Sequence, residues 1–176
     1  GPVKYYYEET LMAEGRYNAA GEKEGAWNYY YTTGLLKLRE QYKNGKRNGE
    51  AVSWYDNGNV RYRMQHNDEG IVTERQSFEY NGAPKAKGIL KGKDDYEMTY
   101  YHPNGAVAQV LRRVNDDVKD GSFTLLHLNG KVRKEMTFKN QLQEGPCKVY
   151  YDDGNIKETY TCKANKIDGL YQSFYP

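Results

Sequence analysis

Two interleaved glycine series constrain this chain more tightly than any other feature. From Gly25, glycine recurs at Gly49, Gly121, Gly145 and Gly169 on a 24-residue grid whose two missing points fall at Thr73 and Glu97. A second series, Gly34, Gly58, Gly82, Gly130 and Gly154, keeps the same period, with Gly105 one residue short. A fixed period of this order marks an array in which each unit buries its surface only against its neighbours.

What fills each unit is strand. Five residues after the first grid glycine stands an apolar, mainly aromatic column: Tyr6, Tyr30, Trp54, Phe78, Tyr101, Leu126, Tyr150 and Phe174. Beside it lie Tyr7, Tyr31, Tyr55, Tyr151 and Tyr175, and two residues past the second glycine comes Met12, Leu36, Val60, Val107, Val132 or Ile156. Short aromatic and β-branched runs punctuated by glycine spell a meander. Asp56-Asn57-Gly58-Asn59, Pro103-Asn104-Gly105, Asp152-Asp153-Gly154-Asn155 and Lys43-Asn44-Gly45-Lys46 supply residues that tolerate positive φ at hairpin tips. No segment sustains a 3.6-residue apolar period, which argues against helix. The expected fold is all-β: an elongated repeat array of antiparallel β-hairpins, about seven units of 24 residues, forming a twisted meander sheet.

Composition agrees with thin β-structure. Tyrosine supplies 19 of 176 residues and the mean hydropathy is −1.03, so a deep aliphatic core is not available. Tyrosine buries a large ring while keeping a polar tip. With 26 basic against 24 acidic residues there is no dedicated polyanion-binding balance.

Gly1-Pro2 has the form left by protease removal of a tag, so residues 3–176 are read as a single hairpin-repeat domain and as a fragment of a longer protein. The absence of a signal sequence therefore carries no information. The unit at about 66–97 is irregular: His66–Gly70 and Lys91–Asp95 read as loops, and Pro84 cannot donate to a central ladder. Repeat decay and a mid-array bend are both open readings. The chain stops halfway through a further unit, which predicts an edge strand at its carboxyl end and a route to self-association through terminal edges.

The run G-x-W-x-x-Y-Y-x-x-G-x-L-x-x-x-x-x-Y-x-N-G-K-x-x-G over Gly25–Gly49, repeated over Gly121–Gly145 and Gly145–Gly169, resembles the variant MORN repeat of bacterial YwqK-type antitoxins. Tyr55–Val60 and Tyr151–Ile156 also resemble the YD repeats of toxin-encapsulating shells, which lack the second glycine series. The MORN resemblance implies a non-enzymatic array for protein contacts or scaffolding at a bacterial cell envelope. A periplasmic, outer-membrane-associated or secreted setting is favoured over a cytoplasmic one.

Candidate chemistry is sparse. His66, His102 and His127 lack metal-ligand spacing, and the latter two fall in the Tyr31 column, where they read as replacements for an aromatic ring. Asp94-Asp95, Asp116-Asp117 and Asp152-Asp153 sit in turns, where acids are solvated and poorly suited to acid–base work. Lysine clusters alternate with carboxylates and read as solubilising, so no nucleic-acid partner, cofactor, metal or direct membrane insertion is expected. Cys147 takes the slot of Trp27 and Phe123, and Cys162 that of Tyr42 and Phe138. Contact between the two cysteines is expected, with a disulfide possible in an oxidising compartment.

The aromatic faces remain as the functional surface. Strand alternation puts Tyr29 and Tyr31 on the Trp27 face and Tyr30 on the other. Tyr29, Tyr31, Tyr55 and Tyr151 are the candidate partner-binding residues, against the alternative that their rings form the core. The partner is another protein; a carbohydrate or cell wall, or a neutralised toxin, is the alternative.

Overall fold

The computed structural model describes residues 1–175, and the chain within them is all-β, with no helix. It divides into two compact units, residues 1–87 and 88–176. In the first, β1 (Pro2–Tyr7), β2 (Thr10–Tyr17), β3 (Lys23–Tyr30), β4 (Leu36–Lys43), the two-residue β5 (Lys46–Arg47), β6 (Gly49–Trp54), β7 (Val60–His66) and β8 (Val72–Phe78) follow one another. Strand β9 (Pro84–Gly92) carries the chain into the second unit. There β10 (Asp95–Tyr101), β11 (Val107–Val114), β12 (Asp117–Val118), β13 (Gly121–Leu126), β14 (Val132–Lys139), β15 (Leu142–Gln143), β16 (Gly145–Tyr150), β17 (Ile156–Lys163), β18 (Lys166–Ile167) and β19 (Gln172–Ser173) complete the meander. Successive strands pair antiparallel, as tight-turn connections require.

The register explains how a polar sequence acquires a core. Trp27 faces Glu40, Tyr29 faces Leu38 and Gly25 faces Tyr42, so these residues share one face of the sheet. On the same face of the first unit lie Ala13, Ala51 and His66, all buried. The second unit repeats the arrangement with Met98 opposite Leu111, Phe123 opposite Met136 and Cys147 opposite Tyr160. Most strands bury one residue on this face, while β6 buries Ala51, Val52 and Ser53 together, with Val52 on the opposite face.

A β-bulge interrupts β1–β2, β3–β4, β6–β7, β10–β11, β13–β14 and β16–β17 at the same point, one residue before the tight turn. The extra residue is Met12, Lys37, Arg61, Ala108, Arg133 or Lys157. Bulges raise local twist and re-aim the residues beyond them. The inserted residue lies on the second strand of each hairpin, so strict alternation holds through Tyr30 on β3 and fails between Leu36 and Leu38 on β4.

The irregular stretch is not a gap. His66–Gly70 leads into a five-residue turn, with Asn67 N–H bonded to the Ile71 carbonyl at 3.0 Å and Gly70 N–H to the Asn67 carbonyl at 3.0 Å. Pro84 stands at the first position of β9, one of the places in a strand where its missing N–H does least harm.

Candidate functional site

Four surfaces of the sheet carry organised side chains: the Trp27 face, the tight-turn edge, the other edge and the opposite, polar face. The Trp27 face is the most developed in the first unit. Trp27 is 2% exposed. Its indole meets Tyr17 edge-on at a centroid distance of 5.1 Å, Tyr5 at 6.3 Å and Tyr29 at 6.4 Å. Its ring N–H donates to the Arg16 carbonyl at 3.2 Å. The ammonium of Lys23 lies 4.3 Å from the centre of the Trp27 ring and 4.9 Å from Tyr42, and it donates to the Tyr29 hydroxyl at 2.7 Å. Such cation–π contacts gain strength as water is excluded.

Beside this cluster lies a buried carboxylate that the sequence did not single out. Glu40 is 5% exposed, accepts the Tyr42 hydroxyl at 2.8 Å and the Arg47 guanidinium at 2.6 Å, and so meets the requirement that a buried charge be paired. Burial, reinforced by that bond, holds the Tyr42 phenol well above its usual range. The signal available beforehand was only that Glu40 shares the parity of Leu38 and Tyr42 on β4.

The tight-turn edge places three of the four candidate tyrosines. Tyr31 begins the turn after β3, and its hydroxyl donates to the Trp54 carbonyl at 2.8 Å, one repeat onward. Tyr55 donates to Phe78 at 2.9 Å and Tyr151 to Phe174 at 2.9 Å. His102 Nε2 lies 3.0 Å from the Leu126 carbonyl and His127 Nε2 3.0 Å from that of Tyr150, so each imidazole stands in for the phenol. A carbonyl only accepts, so Nε2 carries the proton in both rings. Tyr31, Tyr55 and Tyr151 are thus staples between successive hairpins. Tyr29 alone of the four shares the Trp27 face, and Tyr31 does not join it, because the bulge and the turn intervene. Tyr7, expected in the same column, is 68% exposed: the chain reverses there through a tighter turn, with Glu8 at φ +53°.

The other edge is tied by acids. Glu24, Asp120 and Glu144 each precede a grid glycine and accept the backbone N–H of Asn44, Asn140 and Ala164 at 2.9, 2.8 and 3.0 Å. These three N–H groups belong to residues at positive φ in the two-residue turns.

On the polar face Glu14 accepts the Tyr30 hydroxyl at 2.7 Å, and that bond lowers the carboxyl pKa and raises the phenol's. Tyr150 repeats the contact on Glu135 at 2.7 Å. Tyr30 accordingly faces away from Trp27, as alternation predicts. In the second unit Arg112 and Lys119 converge on Asp95, and the guanidinium bond depresses its carboxyl.

Cys147 and Cys162 are buried and are free thiols in this structure. Cys147 stands opposite Tyr160 and Cys162 opposite Gly145, which makes them diagonal rather than direct cross-strand neighbours. Diagonal Cα atoms lie about 7–8 Å apart, at or beyond the limit for a disulfide without backbone movement. Burial raises the Cys162 thiol pKa. Among the described residues no group of three or more His, Cys, Asp or Glu side chains is placed to hold a metal ion.

Three of the hairpins also match a known sequence repeat. The MORN repeat variant matches residues 47–68, 119–140 and 143–163, each of which contains one full hairpin and its bulge. No curated protein matches the chain. Among solved structures, the GtfA/B complex bound to UDP and GlcNAc aligns with 68% of this chain, which spans 23% of that one, at 15% identity and a TM-score of 0.28. A porin-like protein from Bacteroides uniformis ATCC 8492 aligns over 97% of this chain and 93% of its own, at 9% identity and a TM-score of 0.26. Neither likeness is close enough to bear on function.

Proposed function

We propose that the chain is a non-enzymatic binding module that engages another protein through the aromatic face built around Trp27. The observation that carries this reading is the combination of a rigid centre and an open rim. Trp27 is fixed by its neighbours, while Tyr5, stacked beside it, is 47% exposed. Buried anchors ringed by half-exposed Tyr are the composition that protein interfaces favour. The MORN-type repeats support a scaffold role of this kind. A bacterial envelope setting, and a toxin as the partner, belong to the same reading and alter only where and with what it binds.

Placement of the tyrosines changes how the reading is tested. Tyr31, Tyr55 and Tyr151 hold hairpins together, so replacing them probes stability first. Tyr5 and Tyr29 border the open cluster. Affinity capture from the native cell, with the unaltered chain and with a Tyr5→Ser/Tyr29→Ser variant of unchanged melting temperature, is the decisive comparison. One protein retained by the first and lost by the second is the expected result. Equal capture by both overturns the assignment.

A further inference from the structure

The polar face of the first unit carries a row that the repeat itself does not require. Five residues after the second-series glycine stand Arg39, Arg63 and Lys87, whereas the same slot in the second unit holds Val110, Glu135 and Thr159. Three residues after that glycine stand Lys37, Arg61 and Lys85. A position that accepts Val, Glu and Thr elsewhere has no structural need of a cation. The [Lys/Arg]-x-[Lys/Arg] pairs are therefore a property of the first unit.

Their placement is set by the ladder. Arg39 faces Val52, and Val52 faces Arg63, so the two guanidinium groups flank one buried valine on the same face. Two strand spacings separate them, about 10 Å. Arg39 donates through Nε to the Asn28 side-chain carbonyl at 3.0 Å, a neutral partner that holds the guanidinium without neutralising its charge. Arg61 lies 5.9 Å from the centre of the Tyr55 ring and Lys37 5.5 Å from that of Tyr31. None of Lys37, Arg39 and Arg61 has a carboxylate partner among the described residues. Arg63 pairs with Glu50 at 3.2 Å, but both side chains are half exposed, and such a pair is easily exchanged for another anion.

Beside these cations run Tyr30, Trp54 and Phe78, one per hairpin and each partly exposed. By alternation from Tyr29, Ser53 and Ser77, which the register puts on the Trp27 face, all three belong to the polar face. A row of half-exposed rings beside the guanidinium groups of Arg39 and Arg63, with Lys87 next in the row and paired to Glu74 at 2.9 Å, suits a ligand that is itself periodic and carries both flat apolar faces and anions. We propose that this face binds an acidic linear polysaccharide, with uronate carboxylates on Arg39 and Arg63 and sugar rings against Trp54 and its neighbours. The site lies opposite the Trp27 face, so its loss and the loss of protein capture are separate observations.

The test is calorimetric titration of the intact chain with a polyuronate oligomer, a neutral oligomer of equal length, oligothymidylate, and vesicles rich in anionic phospholipid. Polyuronate binding that weakens as salt rises, with no binding of the neutral oligomer, is the expected pattern. Arg39→Gln/Arg63→Gln should weaken it at least tenfold without shifting the melting temperature. Trp54→Leu should weaken it too, which purely electrostatic attraction would not. If Trp54→Leu does not fold, Tyr30→Leu reads the same ring row. Preference for oligothymidylate or vesicles overturns the proposal in favour of those partners. Failure to bind polyuronate, or binding indifferent to both arginines, overturns it outright.

Discussion

At the scale of single residues the first unit turns on one close approach. A Cβ built on Gly15 would lie 2.3 Å from the Trp27 ring, so the indole occupies the space that any other residue would need. Gly15 lies outside both glycine series and has no positive φ, and its reason is contact rather than conformation. Gly15→Ala should therefore displace Trp27 and destabilise the unit by about 1–3 kcal/mol, the usual cost of overpacking. A lower denaturation midpoint and a red-shifted emission of Trp27, read in a Trp54→Phe background, check it; an unshifted spectrum at unchanged stability would show that the sheet absorbs the methyl elsewhere. Trp27 was legible as one member of a column with Phe123 and Cys147, and its face as either core or binding surface. Its closeness to Gly15 was not, because it depends on the β2–β3 register rather than on any spacing along the chain.

Hairpins are joined by a side-chain rule written in two residue types. Three tyrosines and two histidines in one column reach a backbone carbonyl in the next hairpin. If the donor is what matters, Tyr31→Phe should cost about 0.5–1.5 kcal/mol, the net worth of such a bond. Tyr31→His should recover part of that loss, because His102 and His127 already do the same work. Thermal melts of the two variants decide the point, and equal destabilisation would mean that the phenol ring, not its hydroxyl, is the staple. The turns themselves were legible, since Gly34, Gly58 and Gly154 adopt φ of +83°, +86° and +99°, values that glycine reaches without strain. The staples were hidden because their acceptors are backbone carbonyls and leave no residue signature. Lys37 and Arg61 look like ordinary strand residues, and only the register shows them to be bulged. That is why the assignment of Tyr31 to the Trp27 face failed while that of Tyr29 held.

For the molecule as a whole, the period makes a stronger demand than any contact. If stability is the sum of similar hairpins and the joints between them, excision of one complete repeat should leave every joint type intact. Removing Gly121–Glu144 sets Asp120 before Gly145. Ala164 then inherits the place of Asn140 on the Asp120 carboxylate, and the Tyr150 carbonyl replaces that of Leu126 as the acceptor for His102. Phe123 and Phe138, in edge contact at 5.3 Å, give way to Cys147 and Cys162 in the same slots. Smaller side chains and one fewer hairpin should lower the melting temperature but preserve a cooperative transition and a β-type far-ultraviolet spectrum. Removing Gly121–Gln143 instead, one residue fewer, retains Glu144 as an extra residue between Asp120 and Gly145. A one-residue slip sets each later side chain on the wrong face relative to β11, although Glu144 keeps its place before Gly145 and its bond to Ala164. That variant should lose cooperative melting in its second unit, measured by hydrogen exchange over the strands it keeps there, β10–β12 and β16–β17. Equal behaviour of the two deletions would show that the hairpins fold independently of the grid, and the glycine series would then be a record of duplication without a structural hold on the chain.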